Sequence, residues 1–161
     1  MATITQSPVR PFTNEPMSDY RQPENAGAMR AAIQKVRQDL GREYDLVIGG
    51  KRIRTSEKIR SINPAKPSEI VGIHQKAGKE HVEPAMQAAL AAFETWQYVP
   101  VAERAGVLFR TADILRQRKF EFNAWLVLEV GKNYDEAEAD TWEAIDFLEL
   151  YARQALVLDQ A

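Results

Sequence analysis

Residues 45–55 read DLVIGGKRIRT, two short β-rich runs on either side of Gly49 and Gly50. Paired glycines take the positive φ angles that a two-residue turn demands, so the spacing predicts a β-hairpin over 45–55. The β character continues downstream. Ile59 and Ile62 precede Asn63-Pro64, where the proline holds Asn63 extended, and EIVGI at 69–73 is a further β-branched run. Residues 44–77 are expected to form a small β layer.

From Glu80 the hydrophobic period changes from two to 3.6. Val82, Met86, Ala89, Phe93 and Trp96 fall on one face of a helix ending near Tyr98, and burial is the first explanation of Phe93, Trp96 and Phe109. Beyond Pro100, Ala105, Leu108, Ala112 and Leu115 mark another helix running to about Lys119, with Arg116, Arg118 and Lys119 at the negative end of its dipole. FEFNAWLVLEV (120–130) is a third helical segment, stopped by Gly131. Residues 134–158 form the longest one, and Asp135, Glu136, Glu138 and Asp140 read as its solvated acidic start.

On the other side of the hairpin, Pro8, Pro11, Pro16 and Pro23 break helix and ladder bonding, which predicts an extended arm over 1–23. Ala28, Ala32, Val36 and Leu40 then recur at helical spacing from Glu24 to Leu40, and Gly41 suits a left-handed helix end. The chain divides on this reading into 1–43, arm plus helix, and 44–161. Hairpins ahead of helices make the fold class α+β. No strand runs through a glycine-rich turn into a helix, so the dinucleotide fingerprint is missing.

Composition narrows the function. The 161 residues are 45% hydrophobic and 27% charged, enough for one domain with a core. Lys and Arg total 21 against 23 Asp and Glu, which leaves no basic field for nucleic acid. Charged residues interrupt every stretch that could span a membrane, and MATITQSPVR lacks the plan of a secretory signal, so a cytoplasmic location is expected. There is no cysteine, which excludes disulfides, thiolate zinc sites and thiolate nucleophiles within these residues.

Candidate chemistry is sparse. His74 and His81 lack ligands at metal spacing and read as exposed or hydrogen-bonded structural residues. Ser7, Ser18, Ser56, Ser61 and Ser68 lack a nucleophile-elbow context. On the last helix, Asp146, Glu149 and Arg153 share a polar sector, while Ile145, Leu148, Ala152 and Ala155 fill an apolar one. Glu143 lies outside the polar sector, beside Phe147 and Leu150. Were that strip buried, its carboxylate would need a cationic or hydrogen-bonding partner, for which a substrate ammonium could serve; the alternatives are a surface acid or a pair with an arginine of a neighbouring helix.

Taken in order, GGKRI (49–53), SINPAKPSEIVG (61–72), AAFETWQ (91–97), PVAERAGVLFRTADILRQR (100–118) and LEVGK (128–132), ahead of a long acidic helix, resemble the N-terminal third of the aldehyde dehydrogenases. Within that superfamily, PFTNEP (11–16), SINPAKPSEIVG and ADTWEAIDFLELYARQA (139–155) are similar to one branch. That branch oxidises 1-pyrroline-5-carboxylate, as L-glutamate γ-semialdehyde, to glutamate with NAD in proline degradation.

The resemblance implies that 44–161 is the N-terminal portion of an NAD-binding domain in an α/β fold, without the dinucleotide-binding sheet or the catalytic domain. It implies that Glu143 lies near the substrate's amino group. It also implies that Ser61 and Glu129 match positions that help hold a structural monovalent cation, for which oxygen donors are suited. The family's nucleophilic cysteine, oxyanion-binding asparagine, base glutamate and cofactor loop belong to motifs beyond residue 161. The chain is therefore expected to be inactive alone, to bind no NAD alone, and to work with the remainder of the enzyme in a homo-oligomer. A start at Met1 followed directly by the arm suggests an enzyme not fused behind proline dehydrogenase. The alternatives are a split or degraded gene product, or an independent helical module that binds a protein partner.

Overall fold

The computed structural model describes residues 10–160. The part of the expected arm that carries Ser7 and Pro8 lies outside them. From residue 10 to Gln22 the chain has no helix or strand, and α1 (Pro23–Arg37) follows, opening on the proline that a first helical turn tolerates. The strands are β1 (Arg42–Tyr44), β2 (Leu46–Ile48), β3 (Lys51–Ile53), β4 (Lys58–Asn63) and β5 (Lys66–Gln75). A short 3-10 turn (Lys79–His81) leads into α2 (Val82–Trp96), α3 (Val101–Gln117), α4 (Lys119–Val130) and α5 (Tyr134–Leu158).

The hairpin is as expected: β2 and β3 pair antiparallel, and Gly49 and Gly50 have φ of 56° and 77°. The β region is nevertheless two sheets rather than one layer. A second, three-stranded sheet has the order β1-β5-β4, with β1 parallel to β5 through Arg42↔Gly72 and Tyr44↔His74. Gly41 has the left-handed φ of 77°, but it lies beyond the end of α1. Its N–H donates to the Val71 carbonyl at 3.1 Å, which delivers the chain to β5.

Two seams hold the helices. In the first, Met29 and Val36 of α1 meet Ala124 and Leu128 of α4, with Tyr20, Phe120, Trp125 and Tyr134 around them. In the second, α3 packs on α5. Alanines at 105, 112 and 152 are buried there along with Ile145, and such small side chains let helix backbones approach closely. Helix α2 does not join a seam. Val82, Met86, Phe93 and Trp96 stay 48–64% exposed, so the stripe expected in the core faces outward, and Phe109 is half-buried beneath the Arg153 guanidinium. The helical period is correct, but the hairpin and the leading turn that α2 touches cover little of its stripe.

Glu138 departs furthest from the solvated reading. It is fully buried, because the arm folds over α5 and replaces water with donors. Its carboxylate accepts from Ser18 N–H (2.8 Å), Tyr20 Oη (2.8 Å) and Asn123 Nδ2 (2.6 Å), and pairs with Lys119 Nζ (2.9 Å). The polar sector of α5 is likewise covered. Asp146 takes Asn14 Nδ2 (2.6 Å) and Glu15 N–H (2.7 Å), and Glu149 takes Arg116 (2.6 Å) and Arg153. Burial raises the pKa of Glu138, but Lys119, Ser18 N–H and Tyr20 outweigh it and hold the group below the ordinary 4.5. Burial likewise raises Glu149, and Arg153 with Arg116 outweighs that.

Two outcomes follow for stability. Native pKa values below the unfolded ones mean that these carboxylates stabilise the fold above about pH 5, and that the gain is lost as the pH falls through the native values. Urea midpoints should be flat from pH 7 to about 5 and then fall. Glu138→Ala, which strands Lys119, should cost about 3–5 kcal/mol at pH 7. At the α4 C-terminus, Gly131 has φ 78°, and a Cβ there would lie 2.8 Å from Pro64 Cγ. Gly131→Ala should therefore lower the unfolding free energy by about 1–3 kcal/mol, measured by the same denaturation.

Candidate functional site

Asn133 caps α5. Its side chain accepts from Glu136 N–H at 2.9 Å while Glu136 reaches back to Asn133 N–H at 3.3 Å, which fixes where the helix begins and hence which side chains share a face. With Glu138, Asp146 and Glu149 turned toward the arm and the other helices, Glu143, Phe147 and Tyr151 fall at i, i+4 and i+8 on an outward line. All three are exposed. Phe147 and Tyr151 stack with ring centroids 5.7 Å apart, an apolar platform directly C-terminal to the Glu143 carboxylate. In the strip beside Glu143, Phe147 is exposed and Leu150 half-buried, and no hydrogen bond or ion pair to Glu143 occurs among the described residues.

Ser61 and Glu129 are far apart in sequence but adjacent in space. β4 packs on α4, and Ser61 Oγ donates to Glu129 Oε1 at 2.7 Å. Beside them lies a cavity of about 200 Å³ lined by Tyr44, Val71, Gly72, His74, Trp125 and Glu129. A hydroxyl and a carboxylate converging in this way offer oxygens only, the donor set of a hard cation. Among the described residues there is no cluster of three or more His, Asp or Glu side chains placed to hold a metal.

The histidines are structural. His74 stacks on Tyr44 at 5.3 Å, and His81 accepts from Gly78 N–H at 3.0 Å through Nδ1. Ser18 donates its backbone N–H to Glu138, while Ser56 and Ser68 are exposed. β5 feeds α2 through Lys76–Gly78, a connection with one glycine, and so does not reproduce the spaced glycines that cradle a pyrophosphate. These residues do not fit a dinucleotide. Sequence reasoning missed Glu138, Lys119 and Asn123; the one signal was an acid three residues into an apolar face, buried Ala137 and Thr141 being its neighbours.

Residues 52–161 match the model of the aldehyde dehydrogenase family. The chain is 55% identical over 148 residues to the 1-pyrroline-5-carboxylate dehydrogenase of Bacillus pumilus, a match that covers 92% of this chain and 29% of that protein. It is 51% identical over 148 residues to 1-pyrroline-5-carboxylate dehydrogenase 2 of Bacillus subtilis, with the same coverage. The fold superposes on the crystal structure of 1-pyrroline-5-carboxylate dehydrogenase from Thermus with bound NAD at a TM-score of 0.89 and 49% identity, covering 93% of this chain and 29% of that one. The chain thus spans less than a third of the length of these relatives. No helix of the described residues is long and apolar enough to cross a membrane. By sequence over most of its length and by the superposition of its helices and sheets, the chain belongs to the aldehyde dehydrogenase family.

Proposed function

We propose that the chain serves as the N-terminal segment of a cytoplasmic 1-pyrroline-5-carboxylate dehydrogenase, oxidising L-glutamate γ-semialdehyde to glutamate with NAD in proline degradation. The observation that carries this reading is the identity of about half of all residues with relatives of that name, spread over more than nine-tenths of the chain. Bound to the complete enzyme, NAD would supply the hydride acceptor for this oxidation. Residues of this chain do other work.

Glu143 supplies a carboxylate to the substrate ammonium. Its exposed position on α5 supports that role, because a carboxylate without an internal partner is free to take an external one. Phe147 and Tyr151 continue the same line and keep one side of the approach apolar. Ser61 and Glu129 supply two oxygens to a structural monovalent cation, which ties β4 to the end of α4. With no cysteine in the chain, the nucleophile comes from the remainder of the enzyme, as do the oxyanion donors and the dinucleotide-binding sheet. The remaining chain and further copies of the enzyme are the expected partners, and the outward face of α2 is a surface for them to cover.

The purified 161-residue chain should show no NAD reduction with γ-semialdehyde, and activity should return when the missing part of the catalytic polypeptide is supplied. Turnover by the chain alone would overturn the reading. In the complete enzyme, Glu143→Ala should raise KM for the amino-bearing aldehyde about tenfold or more, the value of a hydrogen bond to a charged group, and leave a simple aliphatic aldehyde within about twofold. Equal losses for both aldehydes would remove the ammonium-recognition role.

A further inference from the structure

Pro11 and Pro16 keep residues 10–19 out of helix and sheet, so the N–H groups of this arm must find acceptors elsewhere. Helix α5 provides them. Glu15 N–H donates to Asp146 Oδ1 at 2.7 Å, and Ser18 N–H to Glu138 Oε1 at 2.8 Å. Two turns beyond Asp146, Arg153 Nε donates to the Arg10 carbonyl at 2.9 Å. Arm and helix therefore run antiparallel, Arg10, Glu15 and Ser18 meeting Arg153, Asp146 and Glu138 in reverse order.

The clamps interlock. Lys119 Nζ reaches both Glu138 Oε1 (2.9 Å) and the Pro16 carbonyl (3.3 Å), while Arg116 joins the Glu15 carboxylate (2.6 Å) to Glu149 (2.6 Å). Under the arm lies a cavity of about 450 Å³, bordered by Arg10, Asn14, Glu15, Arg116, Glu149 and Arg153. The hold on the arm is polar and ionic. The helices share some of these links, through Arg116–Glu149 and Lys119–Glu138, but they also bury the apolar side chains of Ala105, Ala112, Ala124, Ile145 and Ala152.

We propose that residues 10–19 are a strap, latched to α5 by its carboxylates, that opens as one unit while α3, α4 and α5 stay packed. Proton uptake by Glu138 and Glu149 of the latch is the trigger. Glu138 faces Lys119 of α4 and Tyr20 of the arm, and Asp146 faces Asn14 and the Glu15 amide. Glu149 faces Arg153 of its own helix and Arg116 of α3, which also binds Asp113 and Glu15. Arginine and lysine stay charged throughout the acid range, so neutralising the carboxylates removes the charge that holds Lys119, Arg116 and Arg153 and weakens the acceptors of the arm amides. Glu138 also joins α5 to α4 and Glu149 joins α5 to α3, but those seams rest in addition on buried alanines and Ile145, which carry no charge to lose.

Amide hydrogen exchange of the 161-residue chain, corrected for intrinsic rates, tests the strap at its own bonds. In Asp146→Ala at pH 7, protection at Glu15 and Ser18 should fall together by about tenfold or more. Ser18 keeps its own acceptor in that variant, so its response reads the strap as a unit, while Ala124 and Ala152 should hold their protection. In the unsubstituted chain the Ser18 amide, whose acceptor is Glu138, should open as the pH falls below the ordinary glutamate value of 4.5, ahead of Ala124 and Ala152. An unchanged Ser18 would reduce the latch to one local contact and overturn the proposal. Joint loss at Ala124 and Ala152 would make the arm inseparable from the fold and overturn it equally, as would no loss at Glu15.

Discussion

A carboxylate removed from water needs hydrogen-bond donors on both oxygens, or it takes up a proton or drives the structure apart. Glu138, on α5, meets that requirement with donors from two other segments, Ser18 and Tyr20 of the arm and Lys119 and Asn123 of α4. Satisfying one side chain therefore fixes how three segments sit together. Tyr20 carries the constraint further. The ring whose hydroxyl binds Glu138 packs against Phe120 and Tyr134 at the edge of the α1–α4 core, so the direction in which the chain enters α1 is set by the same carboxylate. Burial, with the Glu138 carboxylate as acceptor, pushes the Tyr20 hydroxyl pKa up, and the proton stays on tyrosine as a donor.

What depended on near neighbours was legible. The hairpin follows from Gly49-Gly50, the end of α4 from Gly131, and helices α1, α2 and α3 from the spacing of apolar residues, although Pro23, read as part of the arm, opens α1. What depended on distant partners was not. A run of acids at a helix start looks the same whether water or an arm some 120 residues away solvates it, so Glu138 read as surface. β1 shows the same limit, since REY has neither alternation nor β-branching, and its strand character comes from a parallel partner, β5, some 30 residues on.

The candidate site divides along the same line. The wheel of α5 placed Glu143 on a face apart from Asp146 and Glu149, and that separation is present in the structure. Spacing could not say whether the face was covered, and it is open. Ser61 and Glu129 had no local reason to be linked; resemblance to a family singled them out, and the hydrogen bond between them is a contact across 68 residues of sequence. The polar sector of α5 shows the opposite case, where spacing grouped the residues correctly but did not name the arm and α3 groups that cover them.

Helix α2 shows what periodicity measures. A 3.6 repeat states which side chains must share one environment, and leaves open what supplies it. Val82, Met86, Leu90, Phe93 and Trp96 are each about half exposed or more, and a groove of about 500 Å³ separates α2 from Leu46 and Ile48 of the hairpin. Burying a side chain of this size fully is worth about 1.5–3 kcal/mol, so covering the rest of five of them amounts to several kcal/mol. The whole stability of a domain is about 5–15 kcal/mol. An apolar face of that weight is out of proportion for a surface that meets only water, and this makes α2 the element whose sequence is explained least by the residues folded with it.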